Sequence, residues 1–245
     1  MTAILDSFST KTRERGAPPP DFDRLARLYR WMEYLTFGPW LQRCRSAFLG
    51  GIANSRRALV LGDGDGRFTA RLLADCPAIR IDAVDASPAM LRSQVRRAGP
   101  NAARLFIHCA DARYWQPSTP TGAAPCDLIT THFFLDCLTT QEVQSLAVAI
   151  RAVVSPSALW VVSEFVTPAN WYGRLVARPV VWGLYLAFGW LTGLGVRSLP
   201  NHSSALRRAG FCLQQRRAWL GGLLASELWS ASPPDSALNS TPALS

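Results

Sequence analysis

Five residues between an apolar run and a helical pattern carry the most specific chemistry in this sequence. They read Gly62-Asp63-Gly64-Asp65-Gly66 and directly follow the run Ala58–Leu61. Glycines let a backbone adopt positive φ angles and approach a bound molecule closely. The free N–H groups at the start of the next helix then point toward that molecule. The pattern therefore predicts a ligand-binding turn between a buried strand and a helix.

The glycine spacing distinguishes two classes of cofactor. A dinucleotide fingerprint reads G-x-G-x-x-G and places a pyrophosphate on the helix N-terminus. Here the order is G-x-G-x-G, and Asp63 and Asp65 lie within the turn. Two carboxylates would repel a pyrophosphate, but they suit a ligand that carries an amino group or a sulfonium. The turn therefore favours an S-adenosylmethionine-like cofactor over a nicotinamide dinucleotide.

Two further acids follow the next two predicted strands. Asp85 ends the strand Arg80–Asp85, and Asp111 comes shortly after the strand Leu105–Cys109. At the carboxyl edge of a parallel sheet, the first can accept hydrogen bonds from both ribose hydroxyls. The second is placed to accept one from an adenine amino group. The alternatives are a helix-start anion for Asp85 and an ordinary polar turn for Asp111.

A candidate general base follows the fourth predicted strand, Cys126–Thr131. His132 lies at the exit of this strand, where ligands of open α/β sheets bind. A base is needed only if the acceptor must lose a proton, and a simple wall residue is the alternative role for His132. Weaker candidates for the same role are Asp136, Glu164 and His202.

The remaining patterns indicate the elements that position these residues. Gly38-Pro39 divides a helical region over Asp21–Leu49, and Ser87-Pro88 begins a helix after the second strand. Thr139, Thr140 and Glu142 begin another helix that is predicted to run to Val154. A fifth strand is predicted over Ala158–Phe165. Two last strands, Phe211–Trp219 and Leu223–Trp229, are joined at Gly221-Gly222, which is typical of an antiparallel hairpin.

Composition narrows the function classes. The chain has 245 residues, a net charge of +9, 49% hydrophobic residues and six cysteines. Its arginines are scattered, without an aromatic-basic ladder, so nucleic acid is a disfavoured partner. The cysteines form no C-x-x-C pair and no cluster with histidine, which predicts reduced thiols, no metal site and a cytoplasmic location. The charged N-terminus does not read as a secretory signal.

The domain prediction places a flexible leader at residues 1–20, the main domain at 21–230 and a disordered tail at 231–245. Within the domain, residues 21–50 form a helical lid and residues 168–200 an apolar insertion. Pro179–Val196 contains no charged residue. The preferred interpretation is a helical cover over an apolar substrate pocket. Peripheral membrane contact through 179–196, and less readily a membrane span, are the alternatives.

The chain resembles class I S-adenosylmethionine-dependent methyltransferases over about residues 22–229. The motifs that carry the resemblance are VLGDGDGRF, IDAVDASPAML, CADA and CDLITTHFFLDCL. The resemblance implies an α/β, Rossmann-like fold with helices on both faces of a seven-stranded, mostly parallel sheet whose last strand is antiparallel. The strings LRRAGF and GGLLASELW are similar to the quinone-biosynthesis C-methyltransferase group.

The resemblance also implies roles for individual residues. The glycine turn (Gly62, Gly64 and Gly66) would hold the methionine part of the cofactor. Asp85 would bind the ribose, and the adenine would be bound by Asp111 and Ala112 and flanked by Ala86 and Met90. The family usually has an acid two residues before the first glycine, where this chain has Val60. Asp63 or the backbone of Gly62 is therefore expected to meet the methionine amino group.

The expected function is methyl transfer from S-adenosylmethionine to a hydrophobic small molecule. Two alternatives stay open. One is a catalytically silent cofactor-binding or scaffold protein, because Val60 departs from the family pattern. The other is an NAD(P)-dependent oxidoreductase, which would use Asp85 in the same way but would require a different glycine spacing.

Overall fold

A mixed β-sheet of seven strands organises the chain. The computed structural model describes residues 38–116, 124–166 and 200–231. The strands are β1 Arg57–Leu61, β2 Arg80–Asp85, β3 Leu105–Cys109, β4 Cys126–His132, β5 Val154–Phe165, β6 Cys212–Trp219 and β7 Leu224–Ser230. The helices in these ranges are α1 Gly38–Arg45, α2 Arg67–Asp75, α3 Pro88–Ala98, α4 Thr140–Arg151 and α5 His202–Arg208.

The strand order across the sheet is β3-β2-β1-β4-β5-β7-β6. The first five strands pair in parallel, and β7 runs antiparallel to both of its neighbours. The chain builds outward from β1 to β3 and then returns to the other side of β1 with β4. Such a reversal of strand order opens a crevice at the carboxyl ends of the strands, where ligands bind. This architecture confirms the predicted fold.

The alternating side chains of β1 explain why helices cover both faces of the sheet. Leu59 and Leu61 point into one buried cluster, which includes Val143 of α4 and Leu206 of α5. Ala58 and Val60 point into a second cluster, in which Phe68, Leu72 and Leu73 of α2 pack. A parallel strand buried on both faces reads as a continuous apolar run, as Ala58–Leu61 does. The predicted helices on both faces are therefore confirmed.

Local capping signals place two helices that border the crevice. Ser87 Oγ accepts a hydrogen bond from the N–H of Met90 at 3.3 Å, and Pro88 is the first residue of α3. Thr139 and Glu142 form a reciprocal capping box at the start of α4, with Glu142 Oε2 accepting from the Thr139 N–H at 2.7 Å. Both caps confirm helix starts that the sequence predicts.

Replacing Thr139 by alanine should lower the free energy of unfolding by about 1 kcal/mol, because an N-cap hydroxyl is lost. Thr139 Oγ1 accepts a hydrogen bond from the Glu142 N–H at 3.2 Å. Urea unfolding of the variant and the wild type measures the difference. Ser157→Ala, at an exposed position of β5, is the matched control. Equal stability of the two variants would contradict the capping role.

Some element bounds differ from the sequence predictions. β5 begins at Val154 rather than Ala158, because Val154 pairs with Cys126 ahead of a register shift in the ladder. The helix predicted to run to Val154 therefore ends at Arg151. Gly38 does begin a helix, but α1 ends at Arg45 rather than Leu49, and a short 3₁₀ turn over Leu49–Ile52 follows.

Several predictions concern residues outside the described ranges. They are the leader at 1–20, the first half of the helical lid, nearly all of the apolar insertion and most of the tail. The uncharged segment Pro179–Val196 belongs to this group. Within the described ranges no helix has the length and apolar character needed to cross a membrane.

Candidate functional site

The glycine turn after β1 adopts the predicted left-handed conformation. The φ angles of Gly62, Gly64 and Gly66 are 64°, 58° and 83°. The N–H of Gly62 donates to Val84 O at 3.0 Å, which ties the turn to the end of β2. A side chain in this region of φ costs about 1–2 kcal/mol. The turn is thus fixed against two strands at the carboxyl edge of the sheet.

The three glycines face different surroundings. A Cβ at Gly62 would lie 2.2 Å from Cδ2 of Phe134, and one at Gly66 would lie 2.7 Å from Cα of Gln94. A Cβ at Gly64 would meet no atom within 4 Å. Two of the glycines therefore allow close packing against the β4 exit and α3. Gly64 borders open space, although its carbonyl accepts a hydrogen bond from Gln94 Nε2 at 3.1 Å.

The two acids of the turn point in different directions. Asp63 is 8% exposed, and its Oδ2 accepts a hydrogen bond from the N–H of Thr69 at 2.8 Å. Its Oδ1 is buried and has no hydrogen-bond partner in the described part of the chain. Asp65 forms ion pairs with Arg67 at 3.2 Å and Arg97 at 2.8 Å. Of these two acids, Asp63 is therefore the one with a buried oxygen that lacks a partner in the described residues.

Asp85 lies beside Asp63 at the end of β2. Its Oδ1 accepts a hydrogen bond from the N–H of Ser87 at 2.9 Å. Burial raises the pKa of Asp63 to about 6. Burial also raises the pKa of Asp85 to about 6, and the negative charge of Asp63 adds to the effect. Two neighbouring carboxyl groups whose ionised forms are disfavoured are well placed to receive hydrogen-bond donors and positive charge from a ligand.

The predicted adenine contacts lie on the turns after β2 and β3. The N–H of Ala110 donates to Asp85 O at 3.1 Å, which brings the second turn against the first. Asp111 receives hydrogen bonds from Arg113 Nε at 3.0 Å on both oxygens. Burial opposes ionisation of Asp111, but these bonds outweigh it and hold the pKa below its ordinary value. The other predicted contacts are Ala112, which is buried, and Ala86 and Met90, which are half-buried.

His132 is the last residue of β4 and is 3% exposed. Its Nδ1 shares a hydrogen bond with Ser163 Oγ at 2.9 Å, and its ring packs edge-on against Phe68 at 4.2 Å between centroids. Burial lowers the pKa of His132 well below its usual 6.5, so the ring is neutral at pH 7. Its role as a general base stays a prediction.

Glu164 and Asp136, ranked below His132 from the sequence, form the more distinctive arrangement. Glu164 Oε1 accepts hydrogen bonds from the N–H groups of Phe134 at 3.2 Å and Leu135 at 2.8 Å. These bonds hold the turn after β4, in which Phe133 has a φ of 55°, unusual for a residue with a side chain. Burial and the charge of Asp136 raise the pKa of Glu164 well above its usual value.

The third weaker candidate, His202 at the start of α5, is already paired. Its Nε2 lies 3.1 Å from Glu227 Oε2, which also accepts a hydrogen bond from Trp229 Nε1 at 3.0 Å. Burial disfavours the ionised form of Glu227, but the bond with His202 outweighs it and lowers the pKa of Glu227. His202 is thus held by the last strand of the sheet.

An apolar cluster lies against the carboxyl ends of β4 and β5. We call it the β4–β5 cluster; its buried members are Leu41, Cys44, Phe133 and Leu224, and Trp40, Phe165, Trp219 and Leu220 pack against it. Its members come from four segments far apart in the chain, so the sequence pattern does not reveal it. The packing of Phe134 against Gly62 was not predicted for the same reason.

Comparisons with known proteins agree with this geometry. Residues 58–157 match the model of a family described as a methyltransferase domain. This segment runs from β1 into β5 and contains the glycine turn, Asp85, Asp111 and His132. No curated protein matches the sequence.

Solved structures share the fold at low sequence identity. The S-adenosylmethionine-dependent methyltransferase SibL, in its apo form, is 22% identical, with a TM-score of 0.59 over 89% of this chain and 64% of SibL. The N-methyltransferase NodS from Bradyrhizobium japonicum WM9, in complex with S-adenosyl-L-homocysteine, is 15% identical. Its TM-score is 0.57 over 84% of this chain and 97% of NodS. The mitomycin 7-O-methyltransferase MmcR is 14% identical, with a TM-score of 0.60 over 85% of this chain and 60% of MmcR. This chain thus spans less than two thirds of SibL and of MmcR.

Proposed function

We propose that the chain is a class I S-adenosylmethionine-dependent methyltransferase that transfers a methyl group from this cofactor to a hydrophobic small molecule. The observation that carries the proposal is the buried, unpartnered Oδ1 of Asp63 beside Asp85. An amino group would supply the missing donor to Asp63, and ribose hydroxyls would supply donors to Asp85. These donors belong to S-adenosylmethionine, so the residues present fit the cofactor.

Each residue of the site then has a defined task. Asp63 accepts from the amino group of the methionine part, and the open space beside the Cα of Gly64 lets the ligand lie close to the turn. Asp85 binds the ribose, while the turn at Asp111 and Ala112 borders the adenine. The cofactor supplies a methyl group already activated on a sulfonium. The chain mainly has to bind the cofactor and the acceptor, orient them and exclude water. Holding the two reactants close together supplies most of the rate acceleration.

The proposal of a hydrophobic acceptor is supported by the apolar residues at the strand exits. The β4–β5 cluster provides Phe133 and Phe165, whose rings lie 5.2 Å apart, beside the turn that carries Phe134. The sequence adds the uncharged segment Pro179–Val196 directly after β5. Apolar walls with a few fixed polar groups are typical of small-molecule sites. Specific RNA or DNA binding at physiological salt would contradict this proposal.

Calorimetric titration with S-adenosylmethionine, S-adenosylhomocysteine and NADH tests the cofactor assignment. We expect micromolar binding of the first two and a loss of about two orders of magnitude in Asp85→Ala, since hydrogen bonds to a charged group are removed. Asp65→Ala is the matched control, because its side chain pairs with Arg67 and Arg97. Binding of NADH instead would overturn the proposal. Cofactor binding without turnover of any acceptor would favour a scaffold.

A further inference from the structure

His132 buries a ring nitrogen for which the described residues offer no partner. The side chain is 3% exposed, and its Nε2 is a buried atom without a hydrogen bond in the described part of the chain. A buried polar atom that stays unsatisfied is costly, because it has lost its hydrogen bonds to water. A bound group that supplies the missing partner would remove this cost. The direction in which Nε2 points therefore indicates which ligand it meets.

The two neighbours of β4 define the direction of Nε2. β4 lies between β1 and β5, and Nδ1 of His132 is hydrogen-bonded to Ser163 of β5 at 2.9 Å. The two ring nitrogens of an imidazole point in nearly opposite directions, so Nε2 points away from β5 and toward β1. The register pairs Leu61 of β1 with Thr131, which places Gly62 beside His132. Nε2 therefore points toward the glycine turn.

His132 also lies on the face of the sheet that α2 covers. Successive side chains of a strand point to opposite faces. Thr131 accepts a hydrogen bond at 3.0 Å from Trp160, a member of the cluster packed under α4 and α5, so His132 projects toward α2. There its ring packs against Phe68 in the first turn of the helix. The next residue of α2 donates its N–H to Asp63, so His132 and Asp63 border the same helix end.

Two features make this position favourable for a negatively charged group. The first N–H groups of α2 have no intrahelical acceptor, and within the described ranges the N–H of Phe68 has no other acceptor. The positive end of the helix dipole stabilises an anion there. Burial is the main influence on the pKa of Asp63 and of His132, and the positive charge of Arg45 acts to lower both. A positive potential therefore reaches both side chains.

The hydrogen bonds of Ser163 place the ring proton of His132 on Nε2. Ser163 Oγ lies 2.9 Å from Nδ1 and 3.4 Å from the carbonyl oxygen of Cys44, so its single proton goes to the nearer acceptor. Ser226 Oγ, 3.0 Å away, can donate to Ser163 in turn. Burial lowers the pKa of His132, so the neutral ring carries one proton at pH 7. With Nδ1 as an acceptor, this proton is on Nε2, which becomes a donor.

We infer that the Nε2–H of His132 donates a hydrogen bond to the carboxylate group in the methionine part of the cofactor. The inference rests on the proposed function and adds a binding residue to the same site. Asp63 accepts from the amino group of the same part of the ligand, so the two unpartnered atoms serve its two charged groups. Hydrogen bonds to a charged acceptor are among the stronger ones. In this assignment His132 binds the cofactor, and Ser163 is a positioning residue that acts through the ring.

Two ligands that differ only in the carboxylate test the inference. We would titrate S-adenosylhomocysteine and its decarboxylated analogue, S-adenosyl-3-thiopropylamine, into the full chain at about pH 7.5. We expect the wild type to bind the former at least about tenfold more tightly. In His132→Phe, which keeps an aromatic ring against Phe68 but has no N–H donor, this preference should fall below about threefold. His132→Gln carries an amide N–H donor and should retain most of the preference.

Two further variants separate positioning from general effects on the fold. Ser163→Ala removes the partner of Nδ1 without removing the donor, so the preference should fall by about threefold. His108→Gln is the matched control for the loss of a histidine, because His108 Nε2 pairs with Asp82 at 3.0 Å on the far side of β1. It should leave the preference unchanged. Urea unfolding curves identify the variants that fold.

Heteronuclear NMR of nitrogen-labelled histidine side chains gives a readout that does not depend on affinity. In the complex with S-adenosylhomocysteine we expect a proton on Nε2 of His132 and none on Nδ1. The opposite tautomer, or equal binding of the two ligands by the wild type, would overturn the inference while the proposed function stands. A preference unchanged in His132→Phe, even with weaker binding of both ligands, would also overturn it. Failure of the wild type to bind S-adenosylhomocysteine would instead overturn the proposed function and this inference with it.

Discussion

Replacing Gly62 by alanine should lower the free energy of unfolding by about 3 kcal/mol or more and abolish cofactor binding. The added Cβ would lie 2.2 Å from Phe134 Cδ2, in a backbone with a φ of 64°. The left-handed backbone costs about 1–2 kcal/mol for a side chain. Forcing extra atoms into a packed site costs about 1–3 kcal/mol more. Because the N–H of Phe134 donates to Glu164, the backbone of Phe134 cannot withdraw from the clash without disturbing the turn after β4.

Urea unfolding and S-adenosylmethionine titration of three glycine variants separate these two costs. Gly64→Ala has the left-handed strain without a clash, and Gly50→Ala meets no atom within 4 Å. We expect Gly64→Ala to lower the free energy of unfolding by about 1–2 kcal/mol and Gly50→Ala to change it little. In a Gly62→Ala, Phe134→Ala double variant, the clash is removed and the two losses should not add. A stable, cofactor-binding Gly62→Ala protein would refute this account of the turn.

The affinity for S-adenosylmethionine should fall steeply as the pH drops from about 7.5 to about 5. Asp63 and Asp85 both have a pKa of about 6 in the free protein. A ligand that brings an ammonium and hydroxyl donors requires ionised carboxylates, so protonation competes with binding. Each carboxylate that must be ionised lowers the affinity about tenfold when the pH is one unit below its pKa. Calorimetric titration across this range, with Asp63→Asn as the variant, measures the effect.

The stability of the ligand-free protein should change with pH in the opposite direction to the cofactor affinity. The pKa of each carboxyl group is raised on folding, so the folded state binds more protons between about pH 4 and pH 6. The contribution of Asp63 and Asp85 to stability is therefore present at low pH and is lost as the pH rises through about 6. Thermal unfolding should show S-adenosylhomocysteine stabilising the protein more at neutral pH than at acid pH. In Asp63→Asn this difference should shrink. A cofactor effect independent of pH would contradict the assignment.

Local patterns were sufficient to predict the framework of the site. The bounds of β2 and β3 agree with the predictions, and Ser87 and Pro88 begin α3 as expected. Apolar runs, caps and glycines act through neighbours a few residues away, so their effects can be read from the chain itself. The same holds for the positive φ angles of the glycine turn. The family motifs added the cofactor, because they combine several such local signals.

The direction of each acid in the turn was decided only by the tertiary structure. Asp63 and Asp65 look equivalent in the sequence, yet Asp63 caps α2 through Thr69 while Asp65 meets Arg97 of α3. The left-handed Gly64 rotates the chain between the two residues, and Arg97, a partner distant in sequence, stabilises the outcome. The pattern Gly-Asp-Gly-Asp-Gly predicts the turn but not which carboxylate is buried.

The choice among candidate proton acceptors also depended on long-range contacts. His132 stood out in the sequence by residue type, but burial against Phe68 makes it a neutral, weakly basic ring. Burial raises the pKa of Glu164, and the charge of Asp136 raises it further because the ends of β4 and β5 bring these two acids together from separate segments. The sequence alone determined the glycine turn through local pattern, and it determined the fold and the cofactor class through the family motifs. Burial and charge pairing exist only once the sheet has formed, and they decided which side chains face the ligands.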